Sequence, residues 1–181
     1  MGSSFDSVSH ETAAWIGQQR MFFVATAPLG ESGHVNVSPK GLDTFLLVGP
    51  NQAAYLDLTG SGAETIAHLR ENGRITFMFC AFEGNPEIVR LYGRGRVVFP
   101  QDDEFVSLVS RFAPRPGIRS VIVADIDRVG SSCGFGVPLM EFSGDRDRLD
   151  RWAMAKGEAH LPGYWASKNA RSIDGLRAVG D

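Results

Sequence analysis

The chain has 181 residues, of which 43% are hydrophobic and 22% charged, and its formal net charge is -3. That length suits one compact domain burying roughly two thirds of its unfolded surface, and the composition excludes a disordered chain. The acidic balance excludes a general nucleic-acid binder, which needs surplus Lys and Arg against phosphates, so any anion site must be local.

The pattern predicts a short helix from Ser9 to Gln19, with Ser9 as N-cap and Trp15 and Ile16 on its buried side. β-rich runs follow: RMFFVATA (20–27), closed by Pro28 and Gly30, then HVNVSPK (34–40), which alternates strictly, then DTFLLVG (43–49) and QAAYLDL (52–58). The links between them are too short for crossover helices of about a dozen residues, so these strands are expected to be antiparallel neighbours, favouring a barrel. A helix is predicted over Ser61 to Arg70. GRITFMFCAF (73–82) is apolar on both faces, the mark of a strand covered on both sides or lying at a subunit contact. EIVRLYGRGRVVF (87–99) is a long strand, a helix is expected from Asp102 to Arg111, and IRSVIVADIDRVGS (118–131) resumes as strand. From about Gly144 the chain reads as a helical and loop extension of the same 1–181 domain, with Leu149, Trp152 and Ala153 on one helical face.

Cys80 and Cys133 are too few for a disulfide framework, and nothing has zinc spacing, which suits a reducing cytoplasm. The start lacks a basic segment followed by an apolar core, and no apolar run approaches the ~20 residues that span a bilayer, so no membrane partner is expected. The four histidines are scattered without metal spacing, and no G-x-S-x-G elbow offers hydrolytic chemistry.

Four stretches carry candidate chemistry. In LTGSGAETIAHL (58–69), Ser61 and Glu64 have the spacing of a capping box. The same Thr59, Gly60, Ser61 and Gly62 could also seat an anion, offering hydroxyls and unobstructed N–H groups beside the positive end of a helix. This is no dinucleotide fingerprint, because Thr65 stands where a third glycine belongs, and no P-loop lysine is present. In HVNVSPKG, strand alternation puts His34, Asn36, Ser38 and Lys40 on one face and Val35, Val37 and Pro39 on the other. A solvated face is the default for such a polar row, while amide, hydroxyl and ammonium groups in line could also bind a heterocycle and neutralise a phosphate. In VRLYGRGRV, Arg90, Tyr92, Arg94 and Arg96 share a face, with Arg94 and Arg96 read as wet and Arg90 kept as a binding candidate. Gly93 and Gly95 signal close approach by another group. In SSCGFGVP, Cys133 is read as a small buried residue rather than a reactive thiol.

In this order NVSPKG, LDLTGSGAETIAHLRENGRITFMF, VRLYGRGRV, SSCGFGVP and SKNARSIDGL resemble the pyridoxamine 5'-phosphate oxidase-like family of FMN-binding split barrels, from about Met21 to Leu176. The resemblance implies a mainly β fold with peripheral helices, an antiparallel split β-barrel, and a homodimer with FMN in the groove between protomers. It places Asn36, Val37 and Ser38 along the isoalloxazine edge or ribityl chain and Lys40 at the phosphate. Thr59, Gly60, Ser61 and Gly62 complete the phosphate seat, with Arg90 a weaker contributor. The segment GAET stands where the family's biosynthetic oxidases carry basic residues, and SIDGLRAVGD ends the chain in place of their substrate-binding sequence. The expectation is therefore an FMN-dependent oxidoreductase acting between a small-molecule electron donor and acceptor, with pyridoxamine phosphate disfavoured as substrate. Its competitors are a non-catalytic flavin carrier or sensor, a split barrel using deazaflavin or haem, and a cofactor-free interaction module.

Overall fold

Alternating runs joined by tight turns leave antiparallel pairing as the short route to a shared core, and every strand pair in the fold is antiparallel. The computed structural model describes residues 2–180; Met1 and Asp181, the ends of the expected 1–181 domain, lie outside the described residues. The strands are β1 (Ser3–Phe5), β2 (Phe22–Thr26), β3 (Asn36–Lys40), β4 (Phe45–Gly49), β5 (Gln52–Leu58), β6 (Arg74–Cys80), β7 (Ile88–Val98) and β8 (Ile118–Ser132). The helices are α1 (His10–Ile16), α2 (Glu64–Glu71), α3 (Phe105–Val109), α4 (Arg148–Lys156) and α5 (Leu161–Lys168). One sheet runs β3-β2-β6-β7-β8-β5-β4, and β1 adds to the far end of β8.

Period-two burial sorts the central strands onto two cores. Tyr55, Phe77, Phe79, Leu91 and Ile122 face the larger one, where Phe45 packs against Phe79 with ring centroids 4.9 Å apart and against Phe22 at 5.1 Å. Their neighbours Ala54, Leu56, Val121 and Val123 point the other way, beneath Phe105, Leu108 and Val109 of α3. Because β5 and β8 are covered on both faces, they read as continuous apolar runs rather than as alternation. The extension returns to the barrel: Ala178 is fully buried in the larger core, and Leu176 and Val179 pack against it.

Several elements differ from the sequence reading. α1 is shorter than expected, although Ser9 does cap it, its hydroxyl accepting from the Thr12 N–H at 3.0 Å. α2 begins at Glu64 rather than Ser61, with Ala63 in the N-cap position and no side-chain cap. The face of β7 that Gly93 and Gly95 line, opposite the row of Arg90, Tyr92, Arg94 and Arg96, is filled. A Cβ on Gly95 would come within 2.9 Å of Leu69 Cδ2 on α2, and one on Gly93 within 2.0 Å of the Asp125 carbonyl, beside the bulge where β7 and β8 shift register. The close approach signalled by these glycines is thus made by the protein's own helix and strand. Cys133 is exposed, not buried, because it lies just past the end of β8; Cys80 is the buried thiol. β1 escapes the sequence reading, since three exposed residues carry no apolar pattern and are held by pairing with β8.

Candidate functional site

β3 is an edge strand, and its pairing with β2 sets Asn36 opposite Thr26, Ser38 opposite Val24 and Lys40 opposite Phe22. The polar row Asn36, Ser38 and Lys40 turns inward and is half-buried, whereas Val35 and Val37 are 70% and 61% exposed. The default of a solvated polar face is therefore reversed for these three, while His34, the fourth of the row, stays exposed and meets Asp174 at 2.7 Å. Behind this row lies a cavity of about 260 Å³. β3 supplies Asn36, Ser38 and Lys40 to its wall, the loop before α2 supplies Gly60 and Gly62, and α2 supplies Glu64 and Thr65. Asp57 of β5 and Arg119 of β8 complete it.

The predicted site residues thus separate into two groups. Asn36, Ser38, Lys40, Gly60 and Gly62 meet in one cavity although more than one strand intervenes in sequence. Val37 points outward, and Arg90 lies elsewhere on the sheet, donating to the Ser132 hydroxyl at 3.3 Å. Thr59 is 1% exposed and occupied: its hydroxyl donates to the Gly117 carbonyl at 2.8 Å and accepts from Trp165 Nε1 at 2.9 Å. Ser61 lies outside the cavity lining and does not cap α2. Its carbonyl and that of Gly60 accept from Asn169 Nδ2, at 3.1 and 3.0 Å. The loop before α2 is therefore fixed from behind by two residues of α5 and its C-cap.

The start of α2 carries its own anion. Glu64 folds back so that one carboxylate oxygen accepts from the Ala63 N–H at 3.0 Å, and the other from the Ile173 N–H at 3.3 Å. A Cβ on Gly62 would stand 2.7 Å from that carboxylate, so the missing side chain makes room for Glu64. Glu64 does reach back as a capping box requires, but without Ser61 as its partner.

Two cavity residues had no place in the sequence reading. Asp57 is buried in an apolar strand, where it accepts from Arg119 Nε at 2.8 Å, Arg119 Nη2 at 3.2 Å and the Ser120 hydroxyl at 3.1 Å. Burial alone would push this carboxyl up, but the charges of Arg119 and Lys40 and the hydrogen bonds from Arg119 and Ser120 hold it below the usual carboxylate range. Arg119 also donates to the Gly62 carbonyl at 2.9 Å, tying the pair to the loop. The signal was a single acid in QAAYLDL and a single base in IRSVIVA, each in a run that is otherwise nearly free of charge. Lys40 Nζ stands 4.0 Å from Asp57 and 5.8 Å from the centre of the Tyr55 ring, and its side chain is 26% exposed. It is therefore the cavity cation with the weakest internal pairing.

Pro39 and Lys40 also line a larger, open groove of about 960 Å³. Its apolar surface comes from Met21, Leu42, Phe82, Phe142 and Trp152, and the extension also contributes Asp145, Arg146, Arg148 and Leu149 to its lining. Among the described residues there is no cluster of three or more potential metal ligands, and no helix is long and apolar enough to cross a membrane.

A curled antiparallel sheet with a polar cavity beneath one edge strand defines the class, and comparison defines the family. The model of the family described as pyridoxamine 5'-phosphate oxidase matches residues 8–133. A pyridoxamine 5'-phosphate oxidase family protein of Aspergillus flavus, ustO, is 42% identical over 191 residues, covering 95% of this chain and 76% of its own. The chain belongs to the pyridoxamine 5'-phosphate oxidase family. Among solved structures, HupZ of Group A Streptococcus shares the fold with a TM-score of 0.52 at 20% identity, over 67% of this chain and 91% of its own. A Lactobacillus delbrueckii protein assigned as a pyridoxamine 5'-phosphate oxidase matches with a TM-score of 0.53 at 16% identity, over 69% and 94%. The fold is accordingly the split barrel.

Proposed function

We propose that this protein is a flavoprotein that binds FMN, with the phosphate at Lys40 and the ribityl chain or ring edge along Asn36 and Ser38. The observation carrying this reading is the convergence of Asn36, Ser38 and Lys40 with Gly60 and Gly62 on one cavity, which shares Pro39 and Lys40 with the lining of a larger apolar-sided groove. The residues fit the group in kind. A loosely paired ammonium suits a phosphate, and half-buried amide and hydroxyl groups suit a polyhydroxyl chain. The α2 N-terminus fits less well than its sequence suggests, because Glu64 already uses the Ala63 N–H. Gly60, with open space where a Cβ would stand, leaves its side of the cavity unobstructed, whereas the space at Gly62 is taken by the Glu64 carboxylate, and Thr59, Ser61 and Arg90 support the site at most indirectly.

When bound, a flavin supplies the hydride and electron chemistry. The chain's own contribution is to hold it, orient it and control access. Lys40 anchors one end, the Asp57–Arg119 pair fixes the Gly62 loop, and the groove beside Phe82, Phe142 and Trp152 admits a small-molecule electron donor and acceptor. We assign an FMN-dependent oxidoreductase of the cytoplasm, a homodimer with the flavin at the subunit interface, folded as a single domain that includes the extension from about residue 144. The exposed Val35 and Val37 on the edge strand support association. Kinship with ustO supports membership of an oxidase family and leaves the substrate open.

The test is FMN titration of the parent and of Lys40→Ala. Loss of a charge-assisted phosphate contact weakens binding by about 1.5 to 3 kcal/mol, roughly ten- to a hundredfold in Kd. Equal affinity of the two proteins would remove Lys40 from the site.

A further inference from the structure

Charge is distributed unevenly around the cavity. Lys40 stands on the side shared with the groove, Arg119 is locked against Asp57, and Glu64 sits at the start of α2. Two carboxylates and two cations therefore share one lining, which offers an incoming anion no net positive charge. The two acids differ in how their charge is met. Asp57 is 1% exposed and receives Nε and Nη2 of Arg119 on its two oxygens, so a counter-ion stands directly against it. Glu64 has no such partner: among the described residues no Lys, Arg or His lies within ion-pair distance of it.

Backbone groups hold the Glu64 carboxylate instead. One oxygen accepts from the Ala63 N–H at 3.0 Å and the other from the Ile173 N–H at 3.3 Å, so it is clamped between the loop before α2 and the C-terminal extension. It fills the place where the positive end of α2 would otherwise offer an N–H to an anion. The side chain missing from Gly62 permits this, since a Cβ there would stand 2.7 Å from the carboxylate. The charge also reaches across the cavity. Burial works against the charge of Arg119, and Asp57 and, more weakly, Glu64 help to hold that guanidinium above its ordinary pKa.

We propose that Glu64 is a specificity-determining residue of the cavity, an anion built into the wall that repels negative charge from the α2 end. It confines a phosphate to the Lys40 end and leaves the α2 end to uncharged, hydrogen-bonding parts of the ligand. The inference deepens the flavin reading and rests on it for the identity of that ligand. Its consequence is that the parent protein draws less affinity from the phosphate of FMN than the same cavity would without the Glu64 charge.

Glu64→Gln removes the charge and keeps an oxygen for the Ala63 N–H, while the exposed Ile173 N–H turns to water. FMN and riboflavin share the ring and the ribityl chain and differ by the phosphate, which carries roughly −1.5 to −2 charge at pH 7. Titrating both ligands into parent and variant separates a charge effect from a change in cavity shape or stability, which would move both affinities together. The ratio of riboflavin Kd to FMN Kd should rise about tenfold in Glu64→Gln, through tighter FMN binding with riboflavin little changed. A ratio within about twofold of the parent's, or a lower one, overturns the proposal. Glu71→Gln removes a carboxylate at the other end of α2, outside the cavity lining, and should leave the ratio as it is. An equal rise there makes the effect one of overall charge and overturns the assignment to Glu64. If the parent binds neither flavin, the flavin reading fails, and inorganic phosphate decides the role of Glu64 by itself. Added phosphate, against chloride at equal ionic strength, should raise the melting temperature of Glu64→Gln more than that of the parent, and equal shifts overturn the proposal.

Discussion

Replacing Arg119 by Met isolates the interaction that ties the cavity floor to its loop. Arg119 and Asp57 have side chains only 4% and 2% exposed, and they share two hydrogen bonds, at 2.8 and 3.2 Å. Removing one partner of a buried pair leaves the other charge without compensation, which costs about 3–5 kcal/mol. Two features place Arg119→Met near the lower end of that range. The Ser120 hydroxyl still donates to Asp57 at 3.1 Å, and Lys40, 4.0 Å away, can close on the bared carboxylate. For a chain of this length a loss of about 3 kcal/mol corresponds to a melting point lower by roughly 6–12 °C. Urea unfolding at neutral pH is the assay, with Lys40→Ala and the double variant completing a cycle. The account expects the double variant to lose more than the sum of the single losses, because Lys40 no longer rescues Asp57. Arg119→Met within about 1 kcal/mol of the parent, or strict additivity with Lys40→Ala, would refute this reasoning.

The glycines of β7 give an ordered pair. Gly93→Ala forces a Cβ to 2.0 Å from the Asp125 backbone oxygen, whereas Gly95→Ala meets the tip of Leu69 at 2.9 Å, so thermal melting should fall further for Gly93→Ala; the reverse order contradicts the packing described. Stability should also depend on pH through His68. Burial lowers its pKa, against the upward pull of Asp174, Glu64 and Glu71. The native state then binds fewer protons than the unfolded chain, so this contribution is complete above the unfolded value of about 6.5 and is lost as pH falls toward the lower native value. Urea midpoints measured from about pH 7.5 to 5 should fall less steeply for His68→Asn than for the parent, and equal slopes would exclude His68 as a source of the effect.

Local pattern made much of the architecture readable. Tight turns forced antiparallel neighbours, Ser9 declared a cap, and the alternation of HVNVSPK separated Asn36, Ser38 and Lys40 from the valines between them. What alternation could not decide is which of its two faces turns inward, since that depends on β3 lying at the sheet edge beside α2. The loop before α2 misled for a related reason. Thr59 and Ser61 look available in sequence, yet residues more than a hundred positions away, Trp165 and Asn169, claim the hydroxyl of one and the carbonyl of the other. Asp57, Arg119 and His68 were missed because a charged or titratable side chain in an apolar run has no local partner to explain it. Its partner lies across the sheet or under a helix.

The most direct test of the central claim is the visible spectrum of freshly purified protein, followed by mass analysis of whatever heat releases. The account predicts a yellow protein with flavin absorption bands and the release of FMN. A Soret band, a released deazaflavin, or colourless protein that gains no flavin bands on incubation with FMN would contradict it.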